Sequence, residues 1–188
     1  MANELVPKMP PMRGLEIDNI SYQTFLRAFD GYASNAFQAK SALWLFEGGG
    51  LTRLRIGYDV QALPYGEEGR YNPRDNAIIL SVDTYEGLFI DYPRSRFTLA
   101  HELGHAILHG RFLKEALEGR MPQRTYKRTD LKPYFDPEWQ ANRFAGGFLM
   151  PAPVLRKCIR DGLSDRRISS YLLVSLSALQ KRRKDLKI

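Results

Sequence analysis

The sequence predicts a small α+β domain in which a short β-sheet packs on one histidine-bearing helix and a helical segment closes the chain. Three observations predict it. The chain of 188 residues uses histidine three times, and all three fall within nine residues, His101-Glu102-Leu103-Gly104-His105-Ala106-Ile107-Leu108-His109. Two strand-like runs precede that stretch, and three candidate helices with their own caps and breakers follow Pro151. At this length one domain of ordinary size is expected, with at most a small appendage.

From the N-terminus, Met1 to Arg13 carries three prolines and no apolar run. It reads as part of an extended arm over residues 1–17 and not as a secretory signal. Asp18 is a candidate cap for a helix whose apolar residues recur at Tyr22, Phe25, Leu26, Phe29, Tyr32, Ala33, Ala36 and Phe37, the stripe of a core-facing helix. Gly48-Gly49-Gly50 ends the pattern, and with no G-K-S/T behind it the run is a weak phosphate cradle. Leu51 to Tyr58 alternates apolar and polar, and Ala77 to Val82 is short and β-branched, so both read as strands across a loop rich in Gly and Pro. The strand just before the histidine helix is a candidate edge for an extended peptide to join.

The histidine helix carries the chemistry. One turn apart, His101 and His105 leave the same helix face, so both imidazoles can reach one ion. Glu102 is turned about 100° away, out of reach for ligation and placed to take a proton from water that the ion activates. That division of labour suits zinc hydrolysis. The competing reading is a buried helix whose histidines are packed or capping. Ser95 as N-cap, no proline from Phe97 to Leu108, and Gly110 as terminator all mark a helix. It is apolar nearly all round, hence buried, and two buried imidazoles on one face call for a strong partner.

A catalytic zinc site needs a third protein ligand. The metzincin pattern would put a histidine ten residues after His101, but that residue is Arg111. His109 lies about 12 Å along the axis from His101 and reads as a histidine at the helix C-terminus, favourable to the dipole. A carboxylate on a later helix remains. Asp136 is a fit N-cap and Pro137 a fit first helical residue, which puts Glu138 in the first turn and Asn142 one turn on. Glu138 as a ligand with Asn142 hydrogen-bonding an imidazole is one reading. Glu138 as a plain N-terminal acid is the other, and spacing leaves both open. The stretch from Gly110 to Asp136 is polar, basic and long for a loop. For stabilising a developing oxyanion, Tyr126, Tyr134 and Arg143 are the candidate donors.

Arg94-Ser95-Arg96-Phe97-Thr98-Leu99-Ala100, running into His101-Glu102-Leu103-Gly104-His105, resembles the ImmA/IrrE family of small metallopeptidases. So does Glu138-x-x-Ala141-Asn142-x-Phe144-Ala145 followed by Phe148-Leu149-Met150-Pro151. A looser similarity at Asn76 to Leu80 and at Val174-Ser175-x-x-Ala178-Leu179 extends it over roughly residues 70 to 188. The resemblance implies a zincin-like fold of the gluzincin kind; the domain is expected over residues 18–155, with a basic helical segment 156–188 packed on it. It implies one Zn²⁺ per chain held by His101, His105 and Glu138, with Glu102 as general base. It implies endoproteolysis of a protein substrate, typically a helix-turn-helix repressor cut under stress or in mobile-element control. The alternative is a non-cleaving, toxin–antitoxin-type partner of a transcription factor. Gly146-Gly147 departs from the small helix formers usual there and is expected to loosen the helix without touching the ligands.

Composition bounds the rest. No stretch of 18 apolar residues exists, so no membrane span is expected. The single cysteine, Cys158, excludes an internal disulfide and fits a reducing, cytoplasmic setting, where it reads as a packed small hydrophobe. Residues 156–188 hold ten Lys/Arg against three acids, which is the whole net charge of +7. Direct DNA binding through this segment is open, but a solvated face is preferred, and no aromatic residue lies within Lys181 to Lys187 for base stacking.

Overall fold

The computed structural model describes residues 5–29, 42–120 and 125–188. Tyr32, Ala33, Ala36 and Phe37 of the expected apolar stripe lie outside them. Strand β1 (Leu5–Pro7) begins the described chain, and helix α1 (Gly14–Ala28) follows. The helix starts four residues before Asp18, after Arg13. Ile17 is fully buried, which draws the first turn into the core. Asp18 is thus no cap; it is buried inside the helix, where two arginines take up its carboxylate. The buried face of α1 runs through Ile17, Ser21, Thr24 and Ala28, one step round from the aromatic stripe. The Ser21 and Thr24 hydroxyls donate to the Asp18 and Ile20 carbonyls, so both can be buried without loss.

Leu51 to Tyr58 is not one strand. Helices α2 (Ala42–Phe46) and α3 (Gly50–Arg53) come first, and strand β2 starts only at Gly57, ending at Gln61. Leu51 and Leu54 are three apart, a spacing that breaks the alternation of Leu54, Ile56 and Tyr58, and a helical turn buries both. Gly49, at φ 104°, supplies the left-handed residue that starts that turn. Strands β3 (Gly69–Asn72) and β4 (Ala77–Ser81) complete a sheet of order β2-β4-β3, with β4 parallel to β2 and antiparallel to β3. The central β4 is the most apolar strand, burying Ile78, Ile79 and Leu80. It has ladder partners on both sides and cannot be the edge the sequence suggested. Ser81 ends it and caps helix α4 (Val82–Phe89) by accepting from the Thr84 amide.

Helix α5 (Pro93–Leu117) crosses the sheet and carries all three histidines. Pro93 opens it, and both expected signals within it have other jobs. Ser95 is buried in the first turn, its side chain packed into the space that Gly87 leaves. Gly110 does not end the helix: a methyl group there would sit 2.7 Å from the Tyr71 hydroxyl, so this glycine lets β3 come close. Past α5, strand β5 (Thr125–Lys127) pairs antiparallel with β1, and two short 3₁₀ turns lead to helix α6 (Pro137–Leu149). Asp136 caps α6 as expected, accepting from the Glu138 amide at 3.0 Å.

Helix α6 packs against both α5 and α1. Its Ala141 backbone lies 3.1 Å from where a Cβ at Gly104 would be, and Ser21 Oγ of α1 fills the place of a Cβ at Gly147. Gly147 therefore lets two helices touch, where the sequence suggested only a looser helix. The main core gathers Ile17, Leu51, Ile78, Leu80, Leu99, Leu103, Phe144 and Phe148. Helices α7 (Ala152–Arg160), α8 (Asp165–Leu172) and α9 (Leu176–Leu186) build a second, smaller core around Met150, Leu155, Cys158, Ile168 and Leu179. Gly162 at φ 75° ends the first of them, and Ser164 and Ser175 cap the other two. A buried ion network joins α1, α6 and α9: Arg143 grips Asp18 through two nitrogens and reaches Asp185, while Arg182 pairs with Asp18 and donates to the Met150 carbonyl.

Candidate metal centre

The helical repeat of α5 places His101 and His105 side by side, with their Nε2 atoms 3.0 Å apart. The first turn of α6 brings Glu138 to the same point, its two carboxylate oxygens 3.3 Å from His101 Nε2 and 3.2 Å from His105 Nε2. Gly104, facing Ala141, is what allows the two helices this close. Around zinc with ligand bonds of about 2.05 Å, tetrahedral donors stand about 3.3 Å apart. The three donors therefore already have the spacing of a tetrahedral site. Two imidazole nitrogens at 3.0 Å also repel as facing lone pairs, so a proton or a cation belongs between them. Donor type, spacing and electrostatics all fit a divalent metal, and His101, His105 and Glu138 are the residues that can hold it.

The charges are arranged to match. Burial works against ionising Glu138, but hydrogen bonds and charge from His101 and His105 outweigh it and hold the carboxyl far below its ordinary range. Burial likewise works against a charged His101, and contact with Glu138, aided by Glu102, reverses the balance and raises its pKa. A negative pocket that attracts positive charge is what a cation site requires. Glu102 stands beside it, 8% exposed. Burial pushes its carboxyl up, and the two imidazoles and a backbone hydrogen bond from Tyr71 offset this only in part. A raised carboxyl pKa suits a group that must both accept and return a proton.

Three residues support the histidines. Asn142 Oδ1 lies 3.2 Å from His101 Nδ1. His109 is not at a helix terminus, because α5 continues two further turns. It is 1% exposed, with Nδ1 3.1 Å from His105 Nδ1 and Nε2 2.8 Å from Gln140 Oε1. Too far along the helix to share the ion, it touches the histidine that would. Its spacing of four from His105 was the visible signal. Nothing local marked Gln140, which belongs to α6.

The oxyanion candidates fare differently. Arg143 points away from the histidines into the ion network with Asp18 and Asp185, so it is structural. The ring of Tyr134 packs on Phe135, and that of Tyr126 lies under Lys8. Among the described residues, neither hydroxyl is hydrogen-bonded to the histidine cluster. Beside Asn142 a cavity of about 580 Å³ opens between the start of α5, the second half of α6 and the start of α9; Phe97, Leu149, Met150 and Val174 line it, with Arg94 and Lys181 among its charged residues.

The chain is similar to known proteins over the segment that carries the cluster. The sequence profile of the IrrE N-terminal-like domain family matches residues 91–184, half of the chain and all of the cluster. The radiation response metalloprotease IrrE of Deinococcus radiodurans is 30% identical over 120 residues, which are 60% of this chain and 31% of that protein. The chain thus spans about a third of that relative's length. A solved structure of a Mycobacterium tuberculosis transcriptional regulator is similar in fold, with a TM-score of 0.50 at 15% identity, over 89% of this chain and 50% of the other.

Proposed function

We propose, for a chain that belongs to the IrrE N-terminal-like family of metallopeptidases, the role of a zinc-dependent endopeptidase acting on a protein, with a helix-turn-helix transcriptional repressor as the substrate class. The observation that carries the reading is the convergence of His101, His105 and Glu138 at tetrahedral spacing with Glu102 beside them. Zinc bound there would supply Lewis acidity, polarising a carbonyl and making water acidic at neutral pH. The rest falls to the chain. Glu102 accepts the proton of the attacking water and returns it to the leaving amine nitrogen. Its position is held by the Tyr71 amide, so β3, the outer strand on that side of the sheet, runs along the site. An extended substrate segment would lie along that strand. Asn142 orients His101.

Direct DNA binding through residues 156–188 gains no support. Arg182 is buried and spent on Asp18, and Lys157 and Arg183 are paired with Asp161 and Asp165. Among the described residues no helix is long and apolar enough to cross a membrane, and the cytoplasm is the proposed location.

The test uses metal analysis and Glu102→Gln. The purified chain should carry one zinc, His101→Ala should lose it, and Glu102→Gln should keep it. Losing the base should cost about 10²–10⁴-fold in cleavage of a co-expressed helix-turn-helix repressor. If Glu102→Gln keeps the full biological effect while the repressor stays uncut, the chain is a non-cleaving regulatory partner and the enzyme reading is wrong.

A further inference from the structure

His105 reaches the candidate metal site with its Nε2 atom, and a metal needs that nitrogen bare. A neutral imidazole carries one N–H, so its place is decided by whatever faces the other ring nitrogen. For His105 that neighbour is His109 Nδ1, at 3.1 Å. Two bare nitrogens or two N–H groups at this distance would repel, so one proton lies between them. Which ring owns it depends on the far side of His109.

There the geometry leaves no choice. Gln140 Nε2 lies 2.8 Å from the Tyr134 carbonyl and 3.0 Å from the Pro10 carbonyl. Carbonyls only accept, so this end of the side chain is the NH₂ and both its hydrogens are used. The other end, Oε1, is an acceptor 2.8 Å from His109 Nε2. His109 therefore donates from Nε2, which leaves its Nδ1 bare. That atom must accept from His105 Nδ1–H, and the His105 Nε2 lone pair is turned to the site. Gln140 is fully buried and His109 nearly so, hence water cannot substitute for either partner.

We propose that Gln140 and His109 are positioning residues that fix His105 in its Nδ1–H tautomer and so ready Nε2 for the metal, with the Pro10 carbonyl of the N-terminal arm as one anchor of the relay. This rests on the metal site of the proposed function but makes a separate claim about it. The chain of donors is directional: two backbone carbonyls orient an amide, the amide orients one ring, and that ring orients the next. Asn142 serves His101 alone, so the two histidines are held by different means.

The test compares His109→Leu with His109→Asn by zinc affinity in chelator competition and by the visible spectrum of the cobalt-substituted protein. Leucine fills the space but offers no acceptor. Asparagine can place Oδ1 near the lost Nδ1. Partners of metal-bound histidines are typically worth 10–100-fold in affinity, so leucine should lose about that much and asparagine should stay within about threefold of the unaltered chain. A role in packing alone predicts the reverse order. Leucine binding as tightly as the unaltered chain, or asparagine as weakly as leucine, overturns the proposal. Should both variants fail to fold, imidazole ¹⁵N spectra of the unaltered zinc-loaded protein decide: His109 should be protonated at Nε2 and bare at Nδ1, and a proton on its Nδ1 refutes the relay. Failure of the unaltered chain to bind zinc would instead sink the proposed function, and the relay with it.

Discussion

Acid should destabilise the metal-free protein through His109. Burial, and the charge of His105 next to it, lower its pKa from the ordinary 6.5 to about 4. The unfolded chain therefore takes up this proton first as the pH falls. Stability from the buried neutral ring is complete above pH 6.5, declines below it, and is fully lost by about pH 4. At about 1.36 kcal/mol per pH unit, that interval is worth about 3 kcal/mol. His101 and Glu138 also change charge in this site, His101 with a raised pKa and Glu138 with a lowered one, so the overall curve mixes several groups. A difference between two proteins isolates one of them. Urea unfolding in the presence of a chelator, from pH 7.5 to pH 4, on the unaltered chain and on His109→Asn gives that difference. It should shift by about 3 kcal/mol in favour of the variant as the pH falls. Curves that stay parallel to within about 0.5 kcal/mol, the usual limit of additivity, would show that His109 is not buried neutral.

Two further substitutions probe what holds the site in place. Gly104→Ala puts a Cβ 3.1 Å from the Ala141 backbone and 3.2 Å from Phe144, so α6 must retreat from α5. We expect a loss of about 1–3 kcal/mol from overpacking and weaker metal binding in chelator competition; unchanged affinity would mean that Glu138 does not depend on this contact. Arg182→Met strips one partner from the buried Asp18 carboxylate. Thermal or urea unfolding should show about 3–5 kcal/mol lost, and a loss below about 1 kcal/mol would mean that Arg143 alone suffices for Asp18.

What could be read from the sequence was what one helix or one turn decides. His101, His105 and Glu102 need only the helical repeat to take their places. Asp136-Pro137 announced the start of α6, Gly162 and Ser164 marked the closing helices, and either Ser175 or Ser177 could cap the last of them, of which Ser175 does, because caps act within four residues. The errors share a cause in tertiary contact. Asp18 looks like a cap, yet Arg143 and Arg182, 125 and 164 positions away, make it an interior anion. Ser95 and Gly110 look like helix ends, yet each faces another element, Gly87 and Tyr71, that needs a small or polar neighbour. Leu51 to Tyr58 fits periods of two and of three over so few residues, and burial of Leu51 with Leu54 decided for the helix.

Glu138 shows where local reading stops. Its position in the first turn of α6 was legible, but a first-turn acid near a helix dipole and a ligand look identical in sequence. The difference is made by residues that carry no charge. Gly104 removes a methyl group from α5 and Gly147 removes one from the other face of α6, so α6 sits pressed between α5 and α1. Only at that distance can a side chain as short as glutamate reach both imidazoles. The same proximity brings Gln140 to His109. One close helix contact thus brings Glu138 to the two imidazoles and Gln140 to His109. For this reason the glycine inside the H-E-L-G-H stretch belongs to the site as much as the residues on either side of it.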